Sequence, residues 1–114
     1  MKEKKSKMFR MDHLPTGYKR DIEKAVRILS TEGCSEIYLF GSLVNGKPSP
    51  KSDIDLAVKG LGDRIFFEVL GKLLLTLNHP VDLLCLEDEN RFVRLLKKRG
   101  ELVKVDPFVK TKIK

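Results

Sequence analysis

The chain of 114 residues, 41% hydrophobic and 34% charged, fits one domain with one modest core. No apolar run approaches the ~18 residues of a membrane span, and the N-terminal "MKEKKSKMFR" lacks the apolar segment of a secretion signal, so a cytoplasmic protein is expected. The net charge of +7 is not a footprint on the body of the protein: residues 1–10 hold five basic residues against one acidic, residues 110–114 hold three lysines, and residues 11–109 balance at 15 of each sign.

The first predicted element is a helix after Thr16, where Ile22, Ala25, Val26 and Leu29 form one apolar stripe ending near Gly33. Ile37 to Phe40 is short, apolar and bounded by Ser35 and Gly41, as a buried strand requires. A loop rich in Gly, Pro, Ser and Lys runs from Asn45 to Ser52. Asp53 to Val58 then alternates polar and apolar, which predicts a second strand. Asp63 is placed to cap a helix with Phe66, Val69, Leu70, Leu73, Leu74 and Leu77 on a wide apolar face, stopped by Asn78 to Pro80. Val81 to Leu86 predicts a third strand. Asp88 opens a helix carrying Phe92, Leu95 and Leu96, with Lys97, Lys98 and Arg99 suited to its C-terminus before Gly100. Leu102 to Val105 closes the series. The order α-β-β-α-β-α-β describes an α/β (α+β) domain, a small mixed sheet with helices packed on it, over residues 15–107, flanked by flexible basic tails at 1–14 and 108–114. Cys34 and Cys85 lack any C-x-x-C or His spacing and read as buried, reduced thiols.

Two features of this layout bear on chemistry. Strands disfavour aspartate, yet Asp53 and Asp55 project from one strand face roughly 6.5 to 7 Å apart, and Asp82 stands one residue into another apolar strand. If the strands of Asp55 and Asp82 are neighbours, about 4.8 Å apart, three carboxylates converge. They then repel by several kcal/mol at an effective dielectric of about 20, unless a cation lies between them. Hard oxygen ligands suit Mg²⁺ or Mn²⁺, and a metal pair about 3.5 to 4 Å apart fits such a cluster. Alone, Asp53-x-Asp55 reads as a solvated strand end. The loop before it changes that reading.

"FGSLVNGKP" matches Gly41, Gly46 and Lys47 of the phosphate-binding pattern G-x-x-x-x-G-K-[ST], but the eighth position is Pro48, without a hydroxyl and followed by Ser49-Pro50 instead of a helix. A P-loop is not formed. What survives is a strand ending in Gly41-Ser42, where backbone amides approach phosphate and a hydroxyl donates to it. Gly41-Ser42, ten residues, then Asp53-Ile54-Asp55 resembles the G-S-x10-D-x-D signature of the DNA polymerase β-like nucleotidyltransferase superfamily, and Asp82 in "HPVDLLCL" matches its third acid. From "IYLFGS" to "LLKKRGELVKV", about residues 17–105, the chain is similar to the minimal nucleotidyltransferases (MNT), often antitoxin partners of HEPN-domain toxins.

That resemblance implies that Asp53, Asp55 and Asp82 are catalytic and hold two Mg²⁺ ions, with Mn²⁺ as the alternative. Gly41 and Ser42 hold the β- and γ-phosphates of ATP, and Asp82 helps activate the acceptor hydroxyl. It implies transfer of AMP to a hydroxyl of a partner protein, a tyrosine of a HEPN toxin, with release of pyrophosphate. Many relatives carry an Arg where this chain has Leu43, which leaves Lys47 and Lys51 as candidate phosphate ligands. His79 reads as a polar helix-end cap. Two other classes of function stay open: a non-catalytic module that neutralises its partner by contact, and nucleic-acid binding through the basic tails.

Overall fold

The apolar stripe of the first helix is where the core begins. In the computed structural model, which describes residues 13–46 and 48–105, α1 (Tyr18–Thr31) buries Tyr18, Ile22, Ala25, Val26 and Leu29 completely. Most of the N-terminal tail, the C-terminal tail from residue 108 and Lys47 lie outside the described residues. The chain continues through β1 (Glu36–Phe40), a single helical turn α2 (Ser42–Asn45) and β2 (Ile54–Lys59). A 3-10 turn (Asp63–Ile65) leads into α3 (Phe66–Thr76), then β3 (Val81–Cys85), α4 (Arg91–Arg99) and β4 (Val103–Lys104). The strands form one mixed sheet in the order β3-β2-β1-β4: β1 pairs antiparallel with β2 and β4, and β2 runs parallel to β3.

Strand alternation sorts side chains between two layers. Ile37, Leu39, Ile54, Leu56, Val58, Val81, Leu83 and Cys85 face α1 and α3 and meet Val26, Leu29, Val69 and Leu73 in the main core. Phe40, Ala57 and Leu86 face the opposite way and pack on Val93 and Leu96 of α4. Fully burying each such aliphatic side chain contributes about 1.5–3 kcal/mol, so α1 and α3 supply most of the adhesion while α4 rests on a smaller patch. Asp55 lies between Ile54 and Leu56, and Asp82 between Val81 and Leu83; both therefore emerge on the α4 side.

The structure corrects several sequence expectations. Asp53 precedes β2 instead of opening it: pairing starts at Ile54, whose amide donates to Pro80 O at 2.8 Å. Asp63 starts the 3-10 turn without capping α3 through its side chain. Asn90, not Asp88, caps α4; its Oδ1 accepts from Val93 N at 2.9 Å. On α3 the buried line is Val69, Leu73 and Leu77, while Leu74 turns outward with Phe67 and Leu75. On α4, Val93 and Leu96 are buried, whereas Phe92 and Leu95 stand half-exposed. Cys34 is half-buried and Cys85 buried, and burial pushes both thiols up to about 11. No helix among the described residues is long and apolar enough to cross a membrane.

Candidate functional site

The loop after β1 is built around one glycine. Gly41 adopts φ 80° and ψ −155°, a region that side chains rarely enter. Its carbonyl accepts the amides of Val44 and Asn45, both at 3.0 Å, closing α2, and Leu43 buries itself in the main core to pin the turn. A Cβ on Gly41 would fall 2.1 Å from Asp55 Oδ2 and 3.0 Å from its Cγ. The Asp55 carboxylate thus occupies the space a side chain at position 41 would take. Leu43, which replaces the Arg of many relatives, is a core anchor here and leaves no cation at that position.

Asp55 stands directly opposite Asp82 in the parallel register of β2 and β3, and opposite Phe40 across the antiparallel pair. Half-buried, its carboxyl is pushed up to about 6, chiefly by burial, then by the negative charge of Asp82 and of Asp53. Asp53 and Asp82 are exposed. The Asp55 shift is the signature of like charges crowding a poorly solvated group. Carboxylate oxygens are hard donors suited to Mg²⁺ or Mn²⁺, and a cation would offset both the burial and the repulsion that raise Asp55. Among the described residues no three Asp, Glu, His or Cys side chains stand close enough to enclose an ion by themselves. That suits Mg²⁺, which is commonly held by one or two carboxylates together with substrate phosphates.

A hollow of about 400 Å³ opens beside these acids. Gly41, Asp55 and Asp82 line it together with the apolar Phe92 and Leu95 and the cationic Arg99. Asn45 Nδ2 donates to Glu101 Oε1 at 2.8 Å, tying the end of α2 to the segment after α4, and Glu101 also lies 3.8 Å from Arg99. The half-exposed Phe92 and Leu95 of α4 thus line the hollow between the sheet and the helix. Helical periodicity alone groups them with Leu96 on one apolar stripe.

Of the residues singled out from sequence, Gly41, Ser42, Asp53, Asp55 and Asp82 stand at one end of the sheet, where β1 ends and β2 and β3 begin. Ser42 and Asp53 stay outside the lining of the hollow. Lys51 is exposed in the loop between α2 and β2, its amide donating to Ser49 Oγ at 3.1 Å. Lys47 lies outside the described residues. Sequence reading missed a buried group behind the site. Asp21, fully buried, accepts from His79 Nδ1 at 2.7 Å, and Tyr18 donates from its hydroxyl to Ser52 O at 2.6 Å. The available signal was an aspartate beside the apolar stripe of a helix.

A family model described as Polymerase beta, Nucleotidyltransferase matches residues 23–106. Among solved structures, a chain of a toxin–antitoxin crystal structure with AMP-PNP aligns at TM-score 0.59 and 26% identity, covering 79% of this chain and 82% of that one. A chain of the MntA-HepT toxin–antitoxin aligns at TM-score 0.56 and 24% identity, covering 82% and 81%, a likeness of fold alone. A chain of a mutant MntA-HpeT toxin–antitoxin aligns at 0.54 and 29%, covering 75% and 69%. No curated protein sequence matches the chain.

Proposed function

Because the chain belongs to the polymerase beta nucleotidyltransferase family, in its minimal MNT form, we propose that it transfers AMP from ATP to a hydroxyl of a partner protein and serves as the antitoxin of a HEPN toxin. The observation that carries this reading is the in-register pairing of Asp55 with Asp82 on adjacent strands, with the Asp55 carboxylate seated against Gly41 in the lining of the hollow. The partner assignment rests on the toxin–antitoxin neighbours, and the donor on the one solved with AMP-PNP.

In the proposed reaction an acceptor oxygen bonds to the α-phosphorus while the bond from that phosphorus to the bridging β-phosphate oxygen breaks. Pyrophosphate leaves with the bridging electrons. The exposed Asp82 carboxylate takes the acceptor's proton, and Gly41, Ser42, Lys47 and Lys51 orient the β- and γ-phosphates. Asp53, Asp55 and Asp82 would hold divalent cations, Mg²⁺ by preference, which when bound supply charge neutralisation along the triphosphate. Phe92 and Leu95 offer the base an apolar face against which to stack.

The test incubates the protein with ATP, Mg²⁺ and the HEPN protein that co-purifies with it. AMP mass on the partner is expected, abolished by Asp53→Ala or Asp55→Ala; undiminished labelling by those variants refutes the site assignment. The alternative is neutralisation by contact alone. Under it Mg-ATP leaves the melting temperature unmoved, whereas the enzymatic reading requires a rise.

A further inference from the structure

Asp21 is the one charged residue fully buried in the core among the described residues, and the proposed chemistry does not touch it. A buried carboxylate is costly unless amply hydrogen-bonded. Asp21 Oδ2 accepts three bonds, from Asn78 N at 2.8 Å, His79 N at 3.0 Å and His79 Nδ1 at 2.7 Å, while Oδ1 has no partner. All three donors belong to the turn that leads into β3. The imidazole so held stacks on Tyr18, with ring centroids 3.7 Å apart and planes 22° apart. Gly17 brings α1 close enough for this: a Cβ there, at φ 90°, would lie 3.3 Å from His79 Cε1.

Tyr18 reaches the other segment that matters. Its fully buried ring delivers a hydroxyl to Ser52 O at 2.6 Å, immediately before Asp53. Ser52 is itself turned by its Oγ, which accepts Ser49 N at 3.0 Å. The two segments meet at Ile54 N, which donates to Pro80 O at 2.8 Å, and one residue later Asp55 stands opposite Asp82. One helix therefore grips, through residues three apart, both chain segments that enter the acid-bearing strands.

We infer that Tyr18, Asp21 and His79 form a brace that sets the spacing of the Asp53–Asp55 segment against Asp82, making them positioning residues for the transfer site. The inference rests on the nucleotidyltransferase reading. The main core, where α1 packs, lies on the sheet face opposite the one from which Asp55 and Asp82 emerge, so the brace acts from behind and touches no substrate.

The test uses the full chain and Tyr18→Phe, which keeps the stacked ring and removes only the hydroxyl. Mn²⁺ alone is the probe, titrated by electron paramagnetic resonance, with Val26→Ala as a core lesion outside the brace. Outer partners of metal ligands commonly govern affinity by 10–100-fold. Tyr18→Phe is expected to bind Mn²⁺ about tenfold more weakly, with faster amide exchange at residues 53–55 and 82. Val26→Ala is expected to lower the melting temperature and leave Mn²⁺ affinity within about twofold of the unaltered protein. Asp21→Asn, which keeps the shape and removes the charge, should follow Tyr18→Phe. Unchanged affinity and exchange in Tyr18→Phe, or an equal loss in Val26→Ala, overturns the brace. If the unaltered protein binds no Mn²⁺, the metal reading falls, and the exchange comparison, which needs no metal, decides the brace alone.

Discussion

Asp55→Asn should stabilise the protein in the absence of divalent cations, although it removes a proposed catalytic group. The Asp55 carboxyl is raised from its ordinary 3.8 to about 6 in the fold. A group whose folded value is raised binds its proton more tightly in the native state, so the native state is favoured below about pH 4 and loses that advantage as pH climbs to about 6. Two units correspond to about 3 kcal/mol. Because the side chain is only half-buried, solvent screening reduces this to about 1–1.5 kcal/mol. The near-isosteric amide carries no charge and escapes the penalty. In EDTA at pH 7.5 the variant should therefore melt roughly 5 °C above the parent, given about 4–8 °C per kcal/mol for a domain of this size. At pH 4.5, where Asp55 is already protonated in the fold, the gap should shrink to about 1 °C. The assay is a pair of circular-dichroism melts at each pH. Equal melting at pH 7.5, or a gap as wide at pH 4.5, refutes the claim that burial, with the neighbouring anions, strains this carboxylate. With Mg-ATP the order should invert, since only the parent gains from the ligand.

Gly41→Ala should cost about 1–3 kcal/mol in urea unfolding, because the side chain must fit a strained conformation and displace Asp55. It should also erase the thermal shift by Mg-ATP. Asp82→Asn, at an exposed position, should leave the melting temperature unchanged or slightly higher while lowering AMP transfer more than about a hundredfold, read by intact mass of the partner. Phe92→Ala should weaken binding of Mg-ATP about tenfold by calorimetry, the loss of about 1–3 kcal/mol of base stacking, and leave Mg-tripolyphosphate binding unaltered. A loss for both ligands would place Phe92 in the fold's support instead.

Asp55 and Asp82 each interrupt an apolar run, which β-strands penalise, yet taken alone they read as solvated strand positions; the spacing from Gly41-Ser42 is what marked them as a site. Their adjacency was conditional on strand order, which alternation does not reveal. Asp53 looked like a strand residue because, with Asp55, it alternates against Ile54 and Leu56, yet pairing begins one residue later, where Pro80 offers its carbonyl. The turn α2 escaped notice because four residues between Gly41 and Gly46 carry too little periodicity to register as a helix; burial of Leu43 decides it. Asp88 and Asn90 share the same capping chemistry, and only backbone geometry selects Asn90. On α4 the periodic set was Phe92, Leu95 and Leu96, but the patch of sheet available to it admits Val93 and Leu96 and turns the other two to the hollow. His79 read only as a helix-end cap because its actual partner, Asp21, lies 58 positions away on α1.

The two acid-bearing strands run side by side in the same direction, joined through α3. Parallel seams of this kind close late and slowly, since the intervening helix must dock before they gain anything. Here the seam also sets one anion facing another, so the slowest topological step and the least welcome electrostatic encounter coincide. Completion of the sheet and readiness for chemistry become a single event. A lesion such as Leu73→Ala, in the helix that joins the two strands, would then delay the meeting of the acids although it touches neither.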